Sequence, residues 1–125
     1  MQLRPRQREF VDKCLKALEE HGDTVGVAPT GAGKTVMLSA ITKEVGGRSL
    51  VLQHRVELVS QNRKTFGRMA PDVPTDLYTA DRKNWSTGAT FGMVQTLSID
   101  ENLKTMPRLD FIVVDEAHHV AARSY

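Results

Sequence analysis

The residues Ala28-Pro29-Thr30-Gly31-Ala32-Gly33-Lys34-Thr35 put two glycines, a lysine and a hydroxyl into one short stretch of chain. That set suits an anion. Gly31 and Gly33 let the backbone curl until successive N–H groups point at one centre. A helix starting there adds unpaired N–H groups and the positive end of its dipole. Lys34 brings a full charge to the β and γ phosphates of a nucleotide, and the Thr35 hydroxyl suits a magnesium ion. The flanks agree. Asp23-Thr24-Val25-Gly26-Val27 is short, apolar and partly β-branched, whereas Met37, Leu38, Ile41 and Val45 recur at helical spacing. Strand, glycine loop and helix is the context a phosphate-binding loop requires. Its first position is Ala28 rather than glycine, a harmless departure if that residue only ends the strand. The bland alternative is a glycine turn opening an ordinary helix.

A second motif bears on that choice. Phe111-Ile112-Val113-Val114 is wholly apolar, as a strand buried on both faces is, and it runs directly into Asp115-Glu116. Two carboxylates there are costly unless a positive group meets them. A magnesium–nucleotide complex would. Asp115 is then placed to hold the metal, and Glu116 to orient and deprotonate an attacking water. Alone, an Asp-Glu pair is most simply a solvated helix start; with the loop it completes a hydrolysis site.

These two stretches, APTGAGKT and Asp115-Glu116-Ala117-His118, resemble motifs I and II of superfamily 2 helicases. Weaker stretches agree in order. Leu3-Arg4-Pro5-Arg6-Gln7 resembles the upstream element that reads adenine, Leu50 to Arg55 with Glu57, Leu58 and Gln61 resembles motif Ia, and Val94-Gln95-Thr96-Leu97 resembles motif Ib. The resemblance implies a partial N-terminal RecA-like motor domain over residues 1–125, an α/β phosphate-loop NTPase fold incomplete at its C-terminus. It implies ATP and Mg2+ as cofactors, held by Pro29, Thr30, Gly31, Ala32, Gly33, Lys34, Thr35 and Asp115. Gln7 is expected on the adenine edge, and Lys34 and Glu116 at the chemistry. Arg55, Gln95 and Thr96 are expected in a nucleic-acid groove, and His118 as a coupling residue. Gln53-His54-Arg55-Val56-Glu57-Leu58 departs from the Pro-Thr-Arg-Glu-Leu of DEAD-type RNA helicases. It looks more like restriction-enzyme motor subunits, repair helicases and phage relatives, so DNA is the expected polymer rather than RNA, with restriction or repair subunits as partners. Similar motors complete their site with arginines from a second RecA-like domain that these residues do not contain, so the chain by itself is expected to turn over little ATP. The rival readings are a binding module without turnover, an RNA helicase fragment, and a phosphate-loop kinase or transporter ATPase.

Composition sets the limits. The 125 residues suffice for one domain with a core, and 26% charged with 40% hydrophobic residues is ordinary globular usage. A net charge of +2 is too small to argue for nucleic acid by itself, so that argument rests on local residues. Cys14 is the single cysteine, which excludes an internal disulfide, and it shares an apolar helix face with Phe10, Val11, Leu15 and Leu18. The adjacent His118 and His119 lack the spacing of zinc ligands. No stretch approaches a membrane span and no apolar leader is evident, so an intracellular, cytoplasmic location is the expectation.

The elements that must position these residues follow from periodicity. Helices are expected at Pro5–Glu20, from the loop to Val45, at Val56–Phe66 ending at Gly67, and near Ser98–Lys104. Strands are expected near Asp23–Ala28, Ser49–Gln53, Thr75–Thr79, Thr90–Val94 and Asp110–Val114. Alternation of the two argues a mainly parallel sheet, whose carboxyl edge would gather the phosphate loop, Gln53 to Arg55, and Gln95-Thr96. Trp85, in a polar loop, could stack on a base, though local packing is its plainer use. The residues after the acidic pair are expected to begin a helix. In the resembling family the next strand lies between the phosphate-loop strand and the Asp115 strand. That slot is therefore expected to be filled by more chain, filled by another copy, or closed by direct pairing of the two strands.

Overall fold

Strand alternation sends odd and even residues to opposite faces, and here it divides the apolar residues into two cores on one sheet. The computed structural model describes residues 3–27, 33–116 and 119–124. In chain order these form α1 (Pro5–His21), β1 (Asp23–Val27), α2 (Lys34–Val45), β2 (Ser49–Gln53), α3 (Val56–Met69), β3 (Thr75–Tyr78), β4 (Ala89–Met93), α4 (Val94–Leu97), α5 (Asp100–Leu103), β5 (Phe111–Glu116) and β6 (His119–Ser124). The six strands make a single sheet in the order β1-β6-β5-β2-β4-β3. β3, β4, β2 and β5 are mutually parallel, each next to its neighbour in that order. β6 is antiparallel to both β5 and β1, so β1 points the same way as the parallel four. No described helix is long and apolar enough to cross a membrane.

Val51, Phe91, Phe111 and Val113 face one core, where they meet Val11, Met37, Leu38, Ile41, Val59 and Phe66 of α1, α2 and α3. Leu50, Leu52 and Ile112, one residue out of phase, face the other core with Tyr78, Leu97, Leu109 and Trp85. In β5 the phase that buries Phe111 and Val113 also carries Asp115 to the α2 side. In β2 the phase of Val51 carries Gln53 there.

The helix ends have local causes. Pro5 starts α1, where its missing N–H costs nothing. Gly22 ends it at φ 79°, its N–H donating to Leu18 O at 2.8 Å. Cys14 is buried on the α1 face that the sequence assigns to it, and burial raises its thiol pKa.

Four expectations need correction. α3 does not stop at Gly67 but runs to Met69. Phe66 is 1% exposed and its ring lies 5.6 Å from that of Phe91, burial that outweighs the ~1 kcal/mol disadvantage of a helical glycine. The helix expected near Ser98 is two short ones, the first starting directly at Val94. Asp115 and Glu116 belong to β5 rather than following it. Finally, His119–Ser124 form β6, not a helix, and β6 occupies the slot between β1 and β5. Neither another copy nor direct pairing of β1 with β5 fills it. Glu116 pairs with His119 and Val25 with Ala121, so one strand folded back from β5 satisfies the inner backbone groups of both neighbours. A helix over the same residues would leave both ladders open.

Candidate active site

The carboxyl edge of the sheet gathers the ends of β1, β2, β4 and β5, and the sequence motifs fall there. Lys34 is the first residue of α2, and Gly33 before it is left-handed at φ 72°. That backbone suits glycine, and the space does too. A Cβ on Gly33 would lie 2.7 Å from Gln7 Nε2. Gln7 is 4% exposed, and its Oε1 accepts from Arg4 N at 2.8 Å. The glutamine thus ties the start of α1 and packs against the exit of the loop. Pro29, Thr30, Gly31, Ala32 and His118 lie outside the described residues.

Lys34 and Asp115 meet. The ammonium Nζ lies 2.5 Å from Asp115 Oδ1, with the lysine side chain 24% exposed and the aspartate 7%. Among the described residues Oδ1 has the Lys34 ammonium as its counter-charge. The other oxygen is held: Gln53 Nε2 donates to Asp115 Oδ2 at 2.9 Å. Gln53 itself is 1% exposed. A buried carboxylate with one oxygen fixed by an amide and the other turned toward a cationic group at the cleft is a donor that a hard cation fits.

These residues line a cleft of about 710 Å³ bounded by Lys34, Thr35, Gln53, His54, Arg55, Leu58 and Asp115. The structure therefore brings together Lys34, Thr35, Asp115 and Arg55 in one cavity. Arg55 precedes α3 as its cap, is exposed, and makes no ion pair among the described residues, Glu57 included. Gln95 is exposed in α4 and its Nε2 donates to His54 O at 3.2 Å, which joins the end of β4 to the end of β2. Thr96 departs from expectation. It is 8% exposed and its carbonyl accepts from Asn102 Nδ2 at 2.8 Å, so it packs α4 onto α5 instead of facing the groove. Glu116 is placed by its backbone at the final pair of β5, opposite His119. Trp85 is packed rather than offered to a base. Its ring lies 4.8 Å from Tyr78 and its Nε1 donates to Thr105 Oγ1 at 2.9 Å.

An ion cluster fixes the helix that carries Lys34. Arg8 of α1 donates to Glu44 Oε1 at 2.6 Å and to Asp12 Oδ1 at 2.8 Å through Nε. The guanidinium holds both carboxylates below their ordinary pKa, and they raise its own. The sequence places Gln53 in a motif at the carboxyl edge but assigns it no role of its own. The signal available was a long polar residue ending an apolar run in phase with buried Val51.

A loop-exit glycine, a helix-opening lysine and a strand-end carboxylate on the carboxyl edge of a mainly parallel sheet define a phosphate-loop α/β domain. The chain belongs to the family described as the res subunit of type III restriction enzymes, whose profile matches residues 1–125. It is 31% identical over 138 residues to the candidate ATP-dependent helicase IRC3 of Saccharomyces cerevisiae, covering 98% of this chain and 20% of that protein. It is 31% identical over 124 residues to the candidate DNA 3′-5′ helicase Rad25 of Haloarcula marismortui, covering 96% of this chain and 20% of that protein. The chain thus spans about a fifth of the length of these relatives. In fold it is similar to a nuclease-deletion mutant of the Type ISP restriction-modification enzyme LlaGI, solved with a DNA substrate mimic. The TM-score is 0.69 at 18% identity, covering 94% of this chain and 15% of that one.

Proposed function

We propose that this chain is part of the ATP-binding N-terminal RecA-like motor domain of an ATP-dependent DNA helicase or translocase. The observation that carries the reading is the Lys34–Asp115 pair at the cleft, in a chain of this family. Gly31, Gly33 and the start of α2 would receive the phosphates, with Pro29, Thr30 and Ala32 in the same loop and Gln7 supporting it from behind Gly33. Lys34 would move from Asp115 onto the β and γ phosphates. Thr35 and Asp115 would hold Mg2+, which when bound supplies charge neutralisation at the phosphates. Glu116, one residue on, is the group to take the proton of the attacking water. Arg55 and Gln95 would contact the polymer backbone at the same edge, charge from one and a neutral hydrogen bond from the other. Names among the relatives that speak of DNA, and the substrate mimic bound by the structural neighbour, support DNA as the polymer.

The test is ATP turnover of the full-length protein with and without single- and double-stranded DNA and RNA. DNA-stimulated turnover, lost in Lys34→Ala, is expected. Glu116→Gln should keep ATP binding and lose turnover. Stimulation by RNA alone would overturn the choice of polymer, and turnover indifferent to any nucleic acid would overturn the motor assignment. Residues 1–125 alone should hydrolyse ATP negligibly, because an arginine supplied by a second domain is worth about 10³-fold or more.

A further inference from the structure

We propose that Gln53 is a positioning residue for the metal-holding carboxylate: its amide fixes Asp115 Oδ2 so that Oδ1 alone is turned toward Lys34 and the cleft. This rests on the nucleotide-site reading above. The geometry that carries it is independent of any bound group. Gln53 is 1% exposed in the same phase as Val51, at a strand position whose inner neighbours are apolar. It is instead a glutamine with its Nε2 2.9 Å from Asp115 Oδ2. The pairing of β2 with β5 runs Val51 against Val113 and Leu52 against Val114, which puts Gln53 and Asp115 next in register on the α2 side. The strand ladder therefore sets the distance between them. A carboxylate without that donor is free to rotate about its last torsion and to present both oxygens to Lys34. With the donor it has one rotamer and one oxygen for a cation. The same residue lies between two parts of the cleft: it precedes His54 and Arg55 on the cleft wall, and His54 O is held by Gln95. The ends of β4, β2 and β5 are thus tied side by side through Gln95, His54, Gln53 and Asp115.

Partners that orient metal ligands from behind typically change metal affinity by 10–100-fold when removed. The experiment titrates the full-length protein with Mn2+ in the presence of a fluorescent ATP analogue, and separately with the analogue in excess chelator. In Gln53→Leu the apparent Mn2+ affinity should fall about tenfold or more, while metal-free affinity for the analogue stays within twofold. Gln53→Met, also close in volume and without a donor, should match it, and serves if the leucine variant fails to fold. In an Asp115→Asn background, Gln53→Leu should add nothing further to the Mn2+ defect. A Mn2+ titration in Gln53→Leu or Gln53→Met that overlays wild type overturns the positioning role while leaving the nucleotide-site reading standing. A proportional loss of both affinities also overturns it, since that marks a general packing defect. A wild-type protein whose analogue binding ignores Mn2+ overturns the metal-site reading and this inference with it.

Discussion

Replacing Gly33 with alanine tests the join between the phosphate loop and α2. Two penalties can be worked from the structure. At φ 72° an alanine stands in left-handed backbone, which costs about 1–2 kcal/mol. Its Cβ would also sit 2.7 Å from Gln7 Nε2, closer than such atoms approach, so the glutamine must move. Gln7 is buried, and moving it gives up the 2.8 Å bond from Arg4 N, about 1 kcal/mol more. The sum is about 2–3 kcal/mol. In urea denaturation, with a slope of roughly 1–3 kcal/mol per molar, the midpoint should fall by about 1 M or more. Gln7→Ala separates the terms. It removes the obstacle and, by itself, the bond to Arg4. The double variant should therefore lose less than the two singles added, by about 1 kcal/mol. An unchanged midpoint in Gly33→Ala would refute the backbone argument, and strict additivity would refute the contact with Gln7.

Two further outcomes follow from charges. Lys34→Met leaves Asp115 buried with Gln53 as its one remaining partner among the described residues, so thermal unfolding without nucleotide should show a loss of about 2 kcal/mol, below the ~3–5 kcal/mol of fully buried pairs because the lysine is partly exposed. Asp115→Asn in that background should recover part of it, and no recovery would contradict the pairing. Asp12 and Glu44 have folded pKa values below their ordinary ones, so the folded state binds fewer protons than the unfolded. Their contribution is present above the ordinary carboxylate range and lost as pH falls through the lowered values. Arg8→Ala should shallow the fall of stability below about pH 4.5, the ordinary value for Glu44, and high salt should do the same to wild type because the cluster is exposed.

The sequence made some of this legible for physical reasons. The loop needs glycine, lysine and hydroxyl in fixed order, and a four-residue apolar run ending in two carboxylates has few stable uses. Both are local, and both landed at one edge. What was not legible depended on partners far along the chain. Gln53 acquires its meaning only when the β2–β5 register brings Asp115 beside it. Gly67 reads as a helix stop until Phe66 finds Phe91 across the core. Thr96 looks like a surface hydrogen-bonder until α4 is seen to start at once after β4 and turn it inward. His119–Ser124 has no strong preference of its own, and two neighbouring ladders outweigh the helix that a family resemblance suggests.

The sheet order also sets when the phosphate loop can be fixed. β1 stands at the edge, and its one ladder is with β6, where Asp23 faces Arg123. Bringing together segments about a hundred residues apart costs an unaided chain about 4 kcal/mol of closure entropy from the length-dependent part alone. β5 and β6, by contrast, are successive and close at once. During synthesis the strand that leads into the loop is made before the other described strands, yet among them its ladder forms only once β6 has left the ribosome and turned back along β5. Until then α1 is its neighbour in sequence. The strand leading into the phosphate loop thus gains its ladder only after the strand that carries the acidic pair is in place.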